Sequence, residues 1–171
     1  MHPDVVINRD ASPGTVSFTE VFKGFEKVGA VQEIFGRRTR RVLEDLSVEL
    51  ADGRGYMRIN DEKGSIVVNM KYLKEGNELH IYLDIVHELV HIRQHMEGKE
   101  LWDKKYAYVD RSAEVEAYLA AVKEGRRMGL EQDELVEYLK VEWVTEEEFS
   151  RMLRTLGVKP WKARNRRLRD K

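Results

Sequence analysis

Between Glu78 and Gly98 the apolar residues Leu79, Tyr82, Leu83, Val86, Leu89 and Val90 recur at the spacing of one helix face. In their midst stands Val86-His87-Glu88-Leu89-Val90-His91, an HExxH motif. Residues four apart in an α-helix lie about 40° apart around the axis, so His87 and His91 point the same way, one turn apart. Two imidazoles so placed reach one zinc ion at about 2.0–2.1 Å. Glu88 lies about 100° round from His87, beside a metal rather than on it, where it can take a proton from water. The stripe runs on to Met96-Glu97 and stops at Gly98, a residue suited to a left-handed helix end.

Composition narrows the chemistry further. The 171 residues contain no cysteine, which excludes disulfides, iron–sulfur clusters, thiolate zinc fingers and cysteine nucleophiles. Any transition-metal site must use His and carboxylate, the ligand set of catalytic rather than structural zinc. The length is that of one domain. Thirty basic against 31 acidic side chains leave a formal charge of -1, so overall charge favours no particular partner. No run has the length of a signal-peptide core or a membrane span, so a soluble, cytoplasmic protein with no membrane partner is expected. High Glu, Lys and Arg with few Asn and Gln gives the chain a heat-adapted flavour.

Residues 1–14, polar and carrying Pro3 and Pro13, read as a loose arm. From Ser17 to Phe35, Phe18, Val21, Phe22, Phe25, Val28 and Val31 recur at helical spacing, interrupted by Gly24 and Gly29. Val42–Leu50, Tyr56–Asn60 and Ser65–Met70 are β-prone runs separated by turn residues, which predicts a three-stranded antiparallel meander. After Gly98 a loop of aromatic and charged residues leads to further helices over 112–128, 131–141 and 145–156, the last opened by the capping box Thr145-Glu146-Glu147-Glu148. The fold class is α+β. Residues 1–158 form a single domain, and 159–171 a basic tail.

HExxH on one helix and Glu114-x-x-Ala117 on the next together resemble the gluzincin metallopeptidases. The similarity is greatest to their smallest members, the archaeal minigluzincins, and to the ImmA/IrrE-type regulatory peptidases. It spans roughly Ser65 to Lys123, about a third of the chain. The resemblance implies a zincin-like domain, its short sheet packed on the HExxH helix and on a second zinc-ligand helix. It implies His87, His91 and Glu114 as ligands of one Zn2+ per chain, Glu88 as general base, and a peptide or protein as substrate. It also implies that the strand Ile66 to Met70 aligns extended substrate along a cleft rim, and that C-terminal segments hold the enzyme latent. We therefore expect part of residues 142–171 near the cleft. Two positions depart from the family pattern. Tyr118 stands four after the third ligand, where an Asp or Asn often orients the first His, and Arg93 replaces a usual apolar residue.

Helix geometry separates Glu114 from Glu116, which lie about 200° apart around the axis. The Glu114 stripe continues through the small residues Ala117, Ala121 and Gly125, which allow close approach, whereas the Glu116 stripe (Ala120, Lys123, Glu124, Arg127) reads as solvated. Glu114 is the better ligand. His95, about 80° further round than His87, is the competing ligand within the first helix, and reads better as a partly exposed or supporting residue. Tyr106 and Tyr108, between the ligand helices, offer hydroxyls for oxyanion stabilisation or rings for packing. The tail holds seven basic residues and one acid, while 131–148 holds eight acids and one Lys. Intramolecular neutralisation accounts for this better than nucleic-acid binding. Two further readings are a zinc-binding regulatory or interaction module without hydrolytic activity and a nucleic-acid-associated protein acting through its tail. Substrate identity and oligomeric state stay open.

Overall fold

Residues read from sequence as a loose arm turn out to be tied down. The computed structural model describes residues 4–159. Within the arm lie strand β1 (Val6–Ile7) and the start of strand β2 (Gly14–Ser17). Helix α1 (Phe18–Val21) follows, then strand β3 (Phe22–Lys23), a 3₁₀ turn at Phe25–Lys27 and helix α2 (Gly29–Phe35). β1 pairs antiparallel with β3. The expected helical stretch is broken at Gly24, whose φ of +82° is left-handed. The backbone of Asp4 and Val5 occupies the space where its Cβ would stand. Val5 is buried, and the Arg9 guanidinium donates to the carbonyls of Leu73 and Gly76.

The chain divides into two compact units, residues 1–100 and 101–171. In the first, helix α3 (Thr39–Asp45) precedes strands β4 (Ser47–Ala51), β5 (Met57–Asn60) and β6 (Ser65–Asn69). The sheet has four strands in the order β2-β4-β6-β5. The expected three-stranded antiparallel meander is corrected: β2 adds a fourth strand, the first run starts as helix α3 and becomes a strand only at Ser47, and β4 and β6 are parallel. β5 and β6 form a hairpin across Asp61–Gly64, so β5 lands on the far edge of β6 and leaves β6 free to pair with β4. Val48, Leu50, Ile59, Ile66 and Val68 fill one face and are all but fully buried. On the other side Glu49 gathers the Ser65 hydroxyl, the Asn60 amide and the Lys63 ammonium, tying β4 to the hairpin.

Helix α4 (Met70–Glu75) and helix α5 (Glu78–Met96) each start on an asparagine. The side chain of Asn77 accepts from the backbone of Leu79 at 2.9 Å and His80 at 3.2 Å, and Asn69 does the same for α4. The chain leaves α5 through Gly98 at φ +69°, the left-handed stop expected there. Phe18, Phe22 and Phe25 pack on one another, and Phe25 lies 5.4 Å from the ring of Tyr82 on α5. The apolar stripe read as one helix thus serves as the anchor of another.

The second unit contains helix α6 (Ser112–Arg127), helix α7 (Gln132–Leu139) and helix α8 (Glu146–Thr155). Both α7 and α8 open with capping boxes, Glu131 with Glu134 and Thr145 with Glu148. Much of the acid-rich run 131–148 therefore sits in first helical turns, where the macrodipole favours negative charge. Arg126 donates to the Gly157 carbonyl at 2.7 Å, closing the end of α8. Residues 160–171, nearly all of the expected basic tail, lie outside the described residues. Among the described residues no helix is long and apolar enough to cross a membrane.

Candidate metal centre

The middle of helix α5 is buried on every side. Every residue from Ile85 to Ile92 is buried, and so are Ile81, Tyr82, Leu83 and Gln94. A helix enclosed in this way needs a reason to carry polar groups, because burying them costs free energy unless they are matched. His87, Glu88 and His91 are 6%, 5% and 3% exposed. The HExxH motif therefore lies in the interior, not on a solvated face.

The expected convergence of the two histidines is present. Their Nε2 atoms face each other at 3.0 Å, with ring centroids 4.7 Å apart. Two nitrogens each about 2.0–2.1 Å from a tetrahedral zinc would stand about 3.3 Å apart. The pair is thus close to the spacing a metal needs. Beyond it, the Nδ1 of His91 lies 2.8 Å from the Oε1 of Gln94, a residue with no exposed surface. The sequence reading missed Gln94, which stands between Arg93 and His95 and looks like part of a polar surface. Its spacing was the available signal: seven residues after His87, it falls on the same stripe as both histidines.

His95 goes elsewhere. Its ring reaches the Asp61–Gly64 turn, where a Cβ added at Gly64 would meet its Nε2 at 3.4 Å. It is partly exposed, as a supporting residue would be.

In the second unit, Glu114 is 2% exposed in the first turn of α6. The N-cap residue of this helix, Arg111, makes no side-chain capping hydrogen bond. Ala117, Ala121 and Gly125 are buried along the same stripe, as its small residues suggested. The opposite stripe needs one correction. Glu124 is buried rather than solvated, and both its oxygens accept from Arg127 at 2.8 and 2.9 Å. A two-point guanidinium pair lets that carboxylate leave water while Arg127 stays half exposed.

The two tyrosines separate. Tyr106 is 57% exposed. Tyr108 belongs to an aromatic cluster, its hydroxyl 2.9 Å from that of Tyr118 and its ring 6.2 Å from that of Trp143. The Arg111 guanidinium lies 5.9 Å above it. Tyr118, at the position where the resembled family often has Asp or Asn, is thus hydrogen-bonded to the very tyrosine considered for oxyanion binding.

His87, His91 and Glu114 are buried side chains that together could hold a metal ion. Two imidazole nitrogens and one carboxylate oxygen form a donor set suited to zinc with a coordination position left open. No family model, curated protein or solved structure matches the chain.

Proposed function

We propose that the chain is a zinc-dependent peptidase of gluzincin type, with His87, His91 and Glu114 as the metal ligands and Glu88 as general base. The observation that carries this reading is the pair of Nε2 atoms facing each other at 3.0 Å inside a buried helix, with Glu88 adjacent in sequence and equally buried. Zinc held there would supply a Lewis acid that polarises a scissile carbonyl and makes water more acidic. Glu88 accepts the proton of the attacking water and returns it to the departing amine nitrogen. Glu88 is only 5% exposed, which limits competition from bulk water for that proton.

The substrate-aligning strand is reassigned. β6, implied by the resemblance, is paired on both sides and has no backbone edge to offer. β2 and β5 are the two edge strands of the sheet, and β5, which lies beside β6, offers its outer edge to an extended peptide. Contacts of β5 and β6 with α5 support a sheet packed on the HExxH helix.

The test is hydrolysis of an unstructured protein such as casein, with and without chelator, by the wild type and Glu88→Gln. Chelator-sensitive cleavage is expected. Glu88→Gln should keep one zinc per chain while turnover falls by about 10²–10⁴. Zinc loss from this variant would contradict the role given to Glu88. Zinc binding without hydrolysis in either protein would favour a metal-bearing regulatory or interaction module.

A further inference from the structure

We propose that Gln94 is a positioning residue that fixes the tautomer of His91 and makes it the standing metal ligand of the pair. This rests on the metal-binding reading above and deepens it. In a neutral imidazole one ring nitrogen carries hydrogen and the other is an acceptor. The Gln94 carboxamide oxygen can only accept, and it faces His91 Nδ1 at 2.8 Å. His91 Nδ1–H therefore donates to it, and His91 Nε2 holds a lone pair aimed at His87. The two Nε2 atoms are 3.0 Å apart, so without metal one of them must carry the hydrogen between them. Gln94 leaves that hydrogen to His87.

The two histidines are therefore not equivalent. His91 is ready for a metal as it stands. His87 must release its Nε2 proton to solvent and take one at Nδ1 before its Nε2 lone pair can bind. Gln94 suits the task because it is fully buried and follows His91 by three residues. Long helical side chains lean toward the N-terminus, which carries its carboxamide back onto the His91 ring. Supporting acceptors of this kind typically change metal affinity by about 10–100-fold when removed.

The experiment compares wild type, Gln94→Leu and Gln94→Glu, using zinc alone as the probe. Long-range ¹H–¹⁵N imidazole spectra of the ion-free wild type should show His91 as the Nδ1–H form and His87 as the Nε2–H form. Adding zinc should change the tautomer of His87 and leave that of His91. Gln94→Leu should lose the fixed His91 tautomer and bind zinc about 10–100-fold more weakly in a competition titration. Gln94→Glu restores an acceptor and should bind within about threefold of wild type. An Nε2–H form for His91 in the wild type overturns the inference, even if the leucine variant does not fold. So does a folded Gln94→Leu with unchanged zinc affinity. A wild type that binds no zinc defeats the metal reading itself, a result distinct from either.

Discussion

Helices α5 and α6 carry the proposed ligands on opposite plans. In α5 the buried residues run unbroken from Ile85 to Ile92, so the helix has no solvent face at the motif. In α6 burial follows Ala113, Glu114, Ala117, Tyr118, Ala121, Val122, Glu124 and Gly125, while Leu119, Lys123 and Arg127 face water. The first helix is held by apolar packing all round and places two ligands through its own pitch. The second is amphipathic and offers a single carboxylate from one stripe. A ligand pair made by helix pitch alone needs only that the helix exist. A lone ligand on an amphipathic helix depends in addition on which stripe is buried.

The sharpest way to break this contrast is to cut one leucine from each helix. Leu89 has no exposed surface, whereas Leu119 is 44% exposed. Leu89→Ala should cost about 2–5 kcal/mol, since it removes a buried side chain and leaves a cavity. Leu119→Ala should stay within about 0.5 kcal/mol. Denaturant unfolding measures both. Equal losses would mean that α6 is as enclosed as α5.

Next in size is the choice of carboxylate on α6. Glu114→Ala should weaken zinc binding by more than about 100-fold, beyond what loss of a supporting contact costs. Glu116, partly exposed on another side of the helix, should tolerate Ala with little change. A metal-competition titration ranks the two. The reverse order would move the metal to the other stripe and undo the assignment of Glu114.

Much of this plan was legible in the sequence, for identifiable reasons. The HExxH pair needs only helical pitch, and Gly98 marks the end of its helix by local chemistry. The capping box at Thr145 likewise places the start of α8. What sequence periodicity could not carry was pairing at a distance. The break at Gly24 exists because Asp4 and Val5 approach it from the far end of the arm. The parallel pairing of β4 with β6 is set by where the β5 hairpin lands, not by any residue in β4. Val42–Asp45 has β-prone neighbours yet finishes α3, since the strand begins only at Ser47. Gln94 and Glu124 share one pattern. Each looks like surface in sequence and is buried with a polar partner facing it, His91 for Gln94 and Arg127 for Glu124.

The smallest effect compares one carboxylate from each unit. In the first, Glu49 is held below the ordinary 4.5 chiefly by the hydrogen bond from the Ser65 hydroxyl, with Lys63 and Asn60 adding to it and partial burial opposing. In the second, Glu148 is held below 4.5 chiefly by the backbone N–H of Thr145, then by its hydroxyl. Both groups are thus more acidic folded than unfolded. Their stabilising contribution is complete above about pH 4.5 and is lost as pH falls through the folded values. Carboxyl NMR titration should place both midpoints below 4.5. Ser65→Ala removes the largest cause and should return Glu49 most of the way toward 4.5. Thr145→Ala keeps the backbone donor and should return Glu148 by less. Melting of wild type and Ser65→Ala should differ most near neutral pH and converge once Glu49 is protonated. A gap that widened on acidification would mean that Glu49 is stabilised as the neutral acid. The link between β4 and the hairpin would then be an ordinary hydroxyl contact rather than a charge-assisted one.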